Sequence, residues 1–548
     1  GVTIGVAGVA TFRSGRIDVG SALQNTSIGE GAGDAITTGS ENTAVGYEAL
    51  TTITTASANV AVGYKALKEN TAGAGNVAIG DQSLEVNTTA SYNTAVGYKA
   101  LTANTGQYNT ALGYQALDTN TTASYNAAVG YYALYANTTG QYNTAVGGQA
   151  MDANTTGNYN SGFGLNALGG NTTGTYNTAV GAAALQANTT ASNNTAVGTD
   201  ALIANTTAND NTAVGYKSLN QNTTGTYNVG VGASALTANT TASYNTAIGW
   251  QAMAANTTGA YNVALGNHSL HDNTTGTRNV SLGGYNLEKN TTASQNTAIG
   301  HYVLVNNTTG SYNIGVGAYA LQASTTAHDN VAVGARALVA NTTGSRNVGV
   351  GNSALDSCTT GNNNTAVGYE TLISSTTTGN NTALGAYALR VATGTDNVAV
   401  GVDALYVNST GGYNTAIGTY ALDANTTASH NAAVGYNALG GNTTGENNTA
   451  VGSSALKNNT TASNNTAVGK SALLANTTGE QNVAVGREAG KSITTNSGCT
   501  MIGANAGQAN TAANNTALGT GALYANTTGT RNTALGTGTY GSTQGTLG

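Results

Sequence analysis

Histidine and carboxylate side chains could carry metal or acid–base chemistry, and they rarely come close together in this chain. His268, His271 and Asp272 form the one compact polar cluster. A metal centre built on them would need further ligands and a supporting shell of hydrogen bonds. The same places one repeat later hold Tyr285, Glu288 and Lys289, so the cluster reads as surface decoration and no metal ligand is expected. Glycoside hydrolysis needs two carboxylates roughly 5 to 9.5 Å apart in a cleft. The 23 acidic residues are dispersed, with no break in the sequence pattern that would build such a cleft. There is no Ser-His-Asp arrangement, phosphate loop or calcium-binding nonapeptide repeat. The expectation is a non-enzymatic chain with no catalytic residues and no cofactor.

Two further residue types invite a chemical reading. Asn-Thr-Thr recurs along the chain and matches the glycosylation sequon. It equally fits a ladder of side-chain amides that satisfies turn backbone and stacks coil on coil, and the distribution of charge favours the ladder. Cys358 and Cys499 are the only cysteines, too few for a disulfide scaffold. Nine repeats separate them, so an intrachain bridge is not expected, because a disulfide holds Cα atoms within about 7 Å.

The elements that must position these residues are set by repetition. Gly is 76 of 548 residues, Pro is absent and only 7% of residues are charged, a bias that calls for a search for internal repeats. Aligning on Asn-Thr-Ala-Val-Gly gives 31 copies, from Asn25 to Asn532. Copies are 17 residues long, except for three of 16 that begin at Asn93, Asn381 and Cys499. Position 5 is Gly in all 31, position 4 is aliphatic in all but Phe163, and position 9 is Leu or Met in 27. The exceptions at position 9 are Gly33, Gly490, Gly507 and Tyr540, which points to altered coil shape near the two ends. From residue 25 onward every charged residue falls at position 6, 7, 10, 11, 16 or 17. Those positions face water, because unpaired buried charge is too costly; positions 1–5, 8–9 and 12–15 are inside or pressed against something.

A period of 17 is too short for helical solenoids. Positions 1–4 read as a strand stopped by glycine, with a second short strand near positions 12–14 and a turn at 15–16. The fold expected is all-β: a parallel β-solenoid of about 30 coils, with 1–24 a junction or cap and 25–548 the repeats. At ~4.8 Å per coil it makes a rod on the order of 145 Å long. No polar cap is evident, so continuation or end-to-end stacking is expected. Same-column residues one coil apart should touch, as Asp272 and Lys289 do at position 11.

The string Asn-Thr-Ala-Val-Gly-Tyr-Lys-Ala-Leu at 93–101 resembles the head repeats of YadA-like trimeric autotransporter adhesins. The whole unit, with its Asn-Thr-Thr-Gly-x-Tyr half, is similar to low-complexity repeats of phage and virus tail fibres. The resemblance covers 25–548, although the unit is longer than the adhesin repeat. It implies a left-handed β-roll, a homotrimer in the adhesins, and a surface fibre.

Partners follow from charge and residue size. The net charge is −7 without a Lys/Arg cluster, so no basic stripe exists for nucleic acid. No run of 18 apolar residues would insert in a membrane, and Gly1 to Ala10 lack a signal peptide's charged front. Position 4 is expected to point into the coil and position 3 outward. Position 3 is Ala, Gly or Ser except Met501, so its face is expected to lie against another chain in a parallel homotrimer or filament. The 29 tyrosines, mostly at positions 17, 6 and 7, include the column Tyr92, Tyr108, Tyr125, Tyr142, Tyr159 and Tyr176, which would stiffen the rod or meet a host glycan or receptor. The function expected is an extracellular, cell-surface or virion fibre that supports attachment. The alternatives are an ice- or crystal-surface binder, with one outward Thr column at positions 13 and 14, and a tail-spike enzyme.

Overall fold

A computed structural model describes residues 23–538. The expected cap at 1–24, apart from Leu23 and Gln24, lies outside the described residues, as does Tyr540. The repeats form 31 three-residue strands at positions 2–4, β1 (Thr26–Ile28) to β31 (Thr533–Leu535). The chain divides into two compact units, Gly1–Thr241 and Ala242–Gly548. Within each, consecutive strands pair in parallel and like pairs with like: Thr178 with Thr195, Ala179 with Ala196, Val180 with Val197. Each unit is a parallel β-solenoid.

The strand is short because glycine ends it. Gly198, at position 5, has φ +133°, and a Cβ there would sit 2.6 Å from the carbonyl oxygen of Gly215 in the next coil. Only glycine accepts both the dihedral and the approach. Leucine at position 9 also turns left-handed, as in Leu185 at φ 52°, at a cost of roughly 1–2 kcal/mol. Full burial of that side chain, worth about 1.5–3 kcal/mol, offsets the strain.

The structure reverses the expected facing of positions 3 and 4. Ala179 and Ala196 at position 3 are fully buried, whereas Val180 and Ile248 at position 4 are 38% and 40% exposed. The interior between strand and position 9 is narrow: a Cβ at Gly162 would already lie 3.3 Å from the Met151 Cε. Small residues occupy position 3 for reasons internal to one chain, and no partner chain lies along that buried face.

The glycines at position 9 do not alter the coil. Gly33, Gly490 and Gly507 keep the left-handed backbone that leucine has, at φ 63°, 57° and 54°. The missing side chain is replaced from elsewhere in the same copy. A Cβ on Gly490 would meet Ile493 Cδ1 at 3.0 Å, and one on Gly507 would meet Met501, its Cε at 3.0 Å. Met501, the one large residue at position 3, therefore fills the space that Gly507 leaves. Met501→Ala alone is expected to destabilise its coil by about 2–4 kcal/mol through a cavity, and Gly507→Leu alone by about 1–3 kcal/mol through overpacking. The double substitution restores the usual pair and should recover most of that loss. Hydrogen exchange at Thr500–Ile502 would measure it, and strictly additive losses would refute the pairing.

The expected second strand does not form among the described residues. Around positions 13–15 the chain bends, and one carbonyl collects several donors. Thr155 O accepts from the amides of Thr138, Thr139 and Gly140 at 3.0, 3.2 and 3.3 Å and from the Thr138 hydroxyl at 3.0 Å. Each 16-residue copy lacks one residue of this bend, so strand register is kept, with Thr94 opposite Thr110.

Candidate functional site

The surface columns are the places where this chain can meet anything else. Their positions are fixed from inside by two buried asparagine ladders. At position 12, Asn137 Nδ2 donates to Asn120 Oδ1 in the preceding coil at 2.9 Å and to Gly140 O at 3.0 Å. At position 1, Asn143 Oδ1 accepts the amide of Asn160 at 2.9 Å, and Asn143 Nδ2 donates to Gly157 O at 2.8 Å. These asparagines are fully buried, so the nitrogen that a glycan would need is committed to the core. The ladder reading holds.

Both cysteines stand in asparagine columns. Cys358, at position 12, and Cys499, at position 1, are free and buried. Burial pushes the Cys358 thiol up to about 11 and raises that of Cys499. Neither is activated as a nucleophile, since reactivity follows the thiolate.

Tyr92, Tyr108, Tyr125, Tyr142, Tyr159 and Tyr176 lie on the surface in one column, with centroids 4.9–5.3 Å apart and planes within 11°. Each ring covers the face of the next, so the column presents ring edges and hydroxyls to water. A sugar stacks on a ring face, and here only the end rings have one free. At position 13 the threonine hydroxyl is spent on the next coil, as with Thr189 and Thr206 O at 3.1 Å. Position 14 is left as a consistently exposed threonine row, and the threonines at position 2 share the outward strand face with position 4, mostly half-buried.

His268, His271 and Asp272 do come together. His271 Nδ1 lies 2.6 Å from Asp272 Oδ1, and His268 Nδ1 lies 3.8 Å from Glu288. The His268 ring stacks on His271 and Tyr285, with Trp250 edge-on. No group of three or more His, Cys, Asp or Glu among the described residues is arranged to hold a metal ion. Asp272 and Lys289 are neighbours as the register requires, since the Asp272 amide donates to Glu288 O at 2.8 Å. Their side chains pair elsewhere, Lys289 Nζ with Asn306 Oδ1 at 2.9 Å and Asp272 with His271.

One concavity escaped the sequence reading. An open cleft of about 390 Å³ is lined by Tyr387, Val402, Asp403, Tyr406, Tyr420 and Asp423. Burial raises the pKa of Asp423, against the pull of its own amide and that of Ala424, and the charge of Asp403 raises it further. No protein-family model and no curated protein matches this chain.

Proposed function

We propose that the chain is a non-enzymatic structural fibre or stalk, on the outside of a cell or virion, that supports attachment to a host or surface and works as an assembly of parallel copies. The observation that carries the assembly is the position-4 column. It holds Val, Ile, Leu or Phe in every copy and never a charge, yet it faces out, with Ile79, Leu112 and Leu384 at 40%, 47% and 48% exposure. Positions 6, 7, 10, 11, 16 and 17 face water and admit charge, and the exposed row at position 14 is polar threonine in nearly every copy. Position 4 alone is outward and apolar throughout. Over the eighteen strands of the second unit the aliphatic surface is on the order of 1,000 Å². A monomer usually leaves a few hundred in one patch, and a standard interface takes about 800 Å² per partner.

A second copy in parallel register would set the same column against itself at every coil, and three such columns meeting on an axis give the homotrimer that the resemblance to adhesin heads implies. Light scattering after size exclusion tests the reading. The expected mass is a multiple of 54.1 kDa, three-fold for the trimer. The triple variant Val146→Lys, Val180→Lys, Val214→Lys alters outward positions and should shift the mass toward one copy with its β-signature kept. A soluble wild-type monomer would sink the assembly.

A further inference from the structure

The cleft at Asp403 owes its shape to a missing ring. Position 7 in three consecutive copies holds Tyr387, Asp403 and Tyr420. Where tyrosines fill this column without interruption, as at Tyr285, Tyr302 and Tyr319, centroids are 5.1 and 6.0 Å apart and nothing fits between. Placing Asp403 in the middle separates the flanking rings by two coils, about 9.6 Å at strand spacing. That leaves room for a small organic group between the two tyrosines, beside the Tyr406 ring, whose centroid lies 6.4 Å from that of Tyr387, edge to face. Tyr406 closes the slot from position 10, and Val402 borders it.

The charge inside the slot is negative. Neither Asp403 nor Asp423 has an ion-pair partner among the described residues. The nearest guanidinium, Arg390, is held by Glu370 at 2.9 Å. It lies 5.9 Å from the Tyr387 centroid and 5.8 Å from that of Tyr406, so two of the slot's rings already receive a cation from this chain. Lys457 acts on the charge of Asp423 only weakly, behind Asp403. Ring faces attract cations through their quadrupole, and two unpaired carboxylates add charge at the same place.

We propose that the slot bounded by Tyr387, Tyr406 and Tyr420 over Asp403 and Asp423 is a binding site for an organic ammonium group. A primary or quaternary ammonium would sit between the rings and neutralise the carboxylates. Either lipid headgroups or amine-bearing saccharides on a host surface could present it. The site stands on three consecutive coils and does not depend on how copies associate.

Titration of the full chain with tetramethylammonium, choline and glucosamine, read by tyrosine fluorescence and by calorimetry, tests the proposal. Methyl glucoside serves as the neutral control. Saturable binding of the cations in the millimolar range is expected, with the glucoside at least tenfold weaker. Choline bound more tightly than glucosamine would point to a headgroup, and the reverse to an amino sugar. Asp403→Asn and Tyr420→Gln use residues that occupy the same column elsewhere, Asn166, Asn437 and Gln115, so the fold should tolerate them. Each should weaken binding about fivefold or more. Glucoside binding as tight as choline, or cation binding untouched by both substitutions, would overturn the assignment.

Discussion

Gly198→Ala is expected to open the solenoid at one coil while leaving distant coils intact. The backbone at Gly198 has φ +133°, outside the region where an L-residue rests comfortably, and the new Cβ would lie 2.6 Å from Gly215 O and 2.7 Å from its carbonyl carbon. Both are backbone atoms of the next coil, so no side chain can swing aside. The Gly198 amide donates to Val180 O at 2.7 Å, and the Gly215 amide to Val197 O at 2.7 Å. Relief of the clash must therefore stretch the ladder on one side or the other. Strain of this kind costs of order 1–3 kcal/mol, and each backbone group left buried without a partner adds about 1–3 kcal/mol. Stability in a repeat array is a sum of local and neighbour terms, so the damage should stay near the substitution. Hydrogen exchange should accelerate by two orders of magnitude or more at Thr195–Val197 and Thr212–Val214. Strands five or more coils away should exchange as before. Unchanged exchange at Thr195–Val197 would show that the coils can part enough to admit a methyl group at no cost.

Much of this architecture was legible because 31 copies average out local noise. The glycine column and the charged columns follow from residue types that recur without exception or nearly so. So does the strand, expected at positions 1–4 and found at 2–4 because the asparagine at position 1 belongs to a side-chain ladder. What misled was hydrophobicity. Valine at position 4 is more apolar than alanine at position 3, so hydrophobicity alone places it in the core, and because strand neighbours alternate sides the expected facing is inverted as a whole. The correcting signal lay in one copy, where the only large residue at position 3, Met501, coincides with glycine at position 9, Gly507. Two positions that trade volume share a space.

The absent second strand had a signal too. The three short copies lose a residue between positions 12 and 15, and a deletion inside a strand would flip every later side chain to the other face, so that segment had to be a bend. The slot was missed for a different reason. The tyrosine column that stands out in the sequence is at position 17, whereas the cleft lies on position 7, where Asp403 stands between Tyr387 and Tyr420.

Asn160→Asp should make the stability of one coil depend steeply on pH. Asn160 is fully buried, and its side chain is saturated. Its Oδ1 accepts from the Asn177 amide at 3.0 Å and from Asn177 Nδ2 at 3.2 Å. Its Nδ2 donates to Gly174 O at 2.8 Å and Asn143 Oδ1 at 3.2 Å. In the aspartate the atom replacing Nδ2 faces those same two acceptors. Protonated, it can still donate to Gly174 O; ionised, it is a buried charge against two oxygens. Both burial and those oxygens raise the folded-state pKa above the unfolded value of about 3.9. Below pH 4 both states hold the proton and the variant should approach wild type. As pH rises the unfolded chain ionises first, and stability falls by about 1.4 kcal/mol per pH unit until the folded pKa is reached or the coil opens. Several kcal/mol are thus lost by neutral pH, the direction opposite to that of a carboxylate stabilised by a salt bridge. The measurement is exchange at Ser161–Phe163 and Thr178–Val180, taken as variant against wild type at each pH so that the intrinsic rate cancels. A ratio that stays flat from pH 4 to 8 would mean that water or a rearranged ladder solvates the carboxylate, and that the asparagine columns are less tightly held than their hydrogen bonds imply.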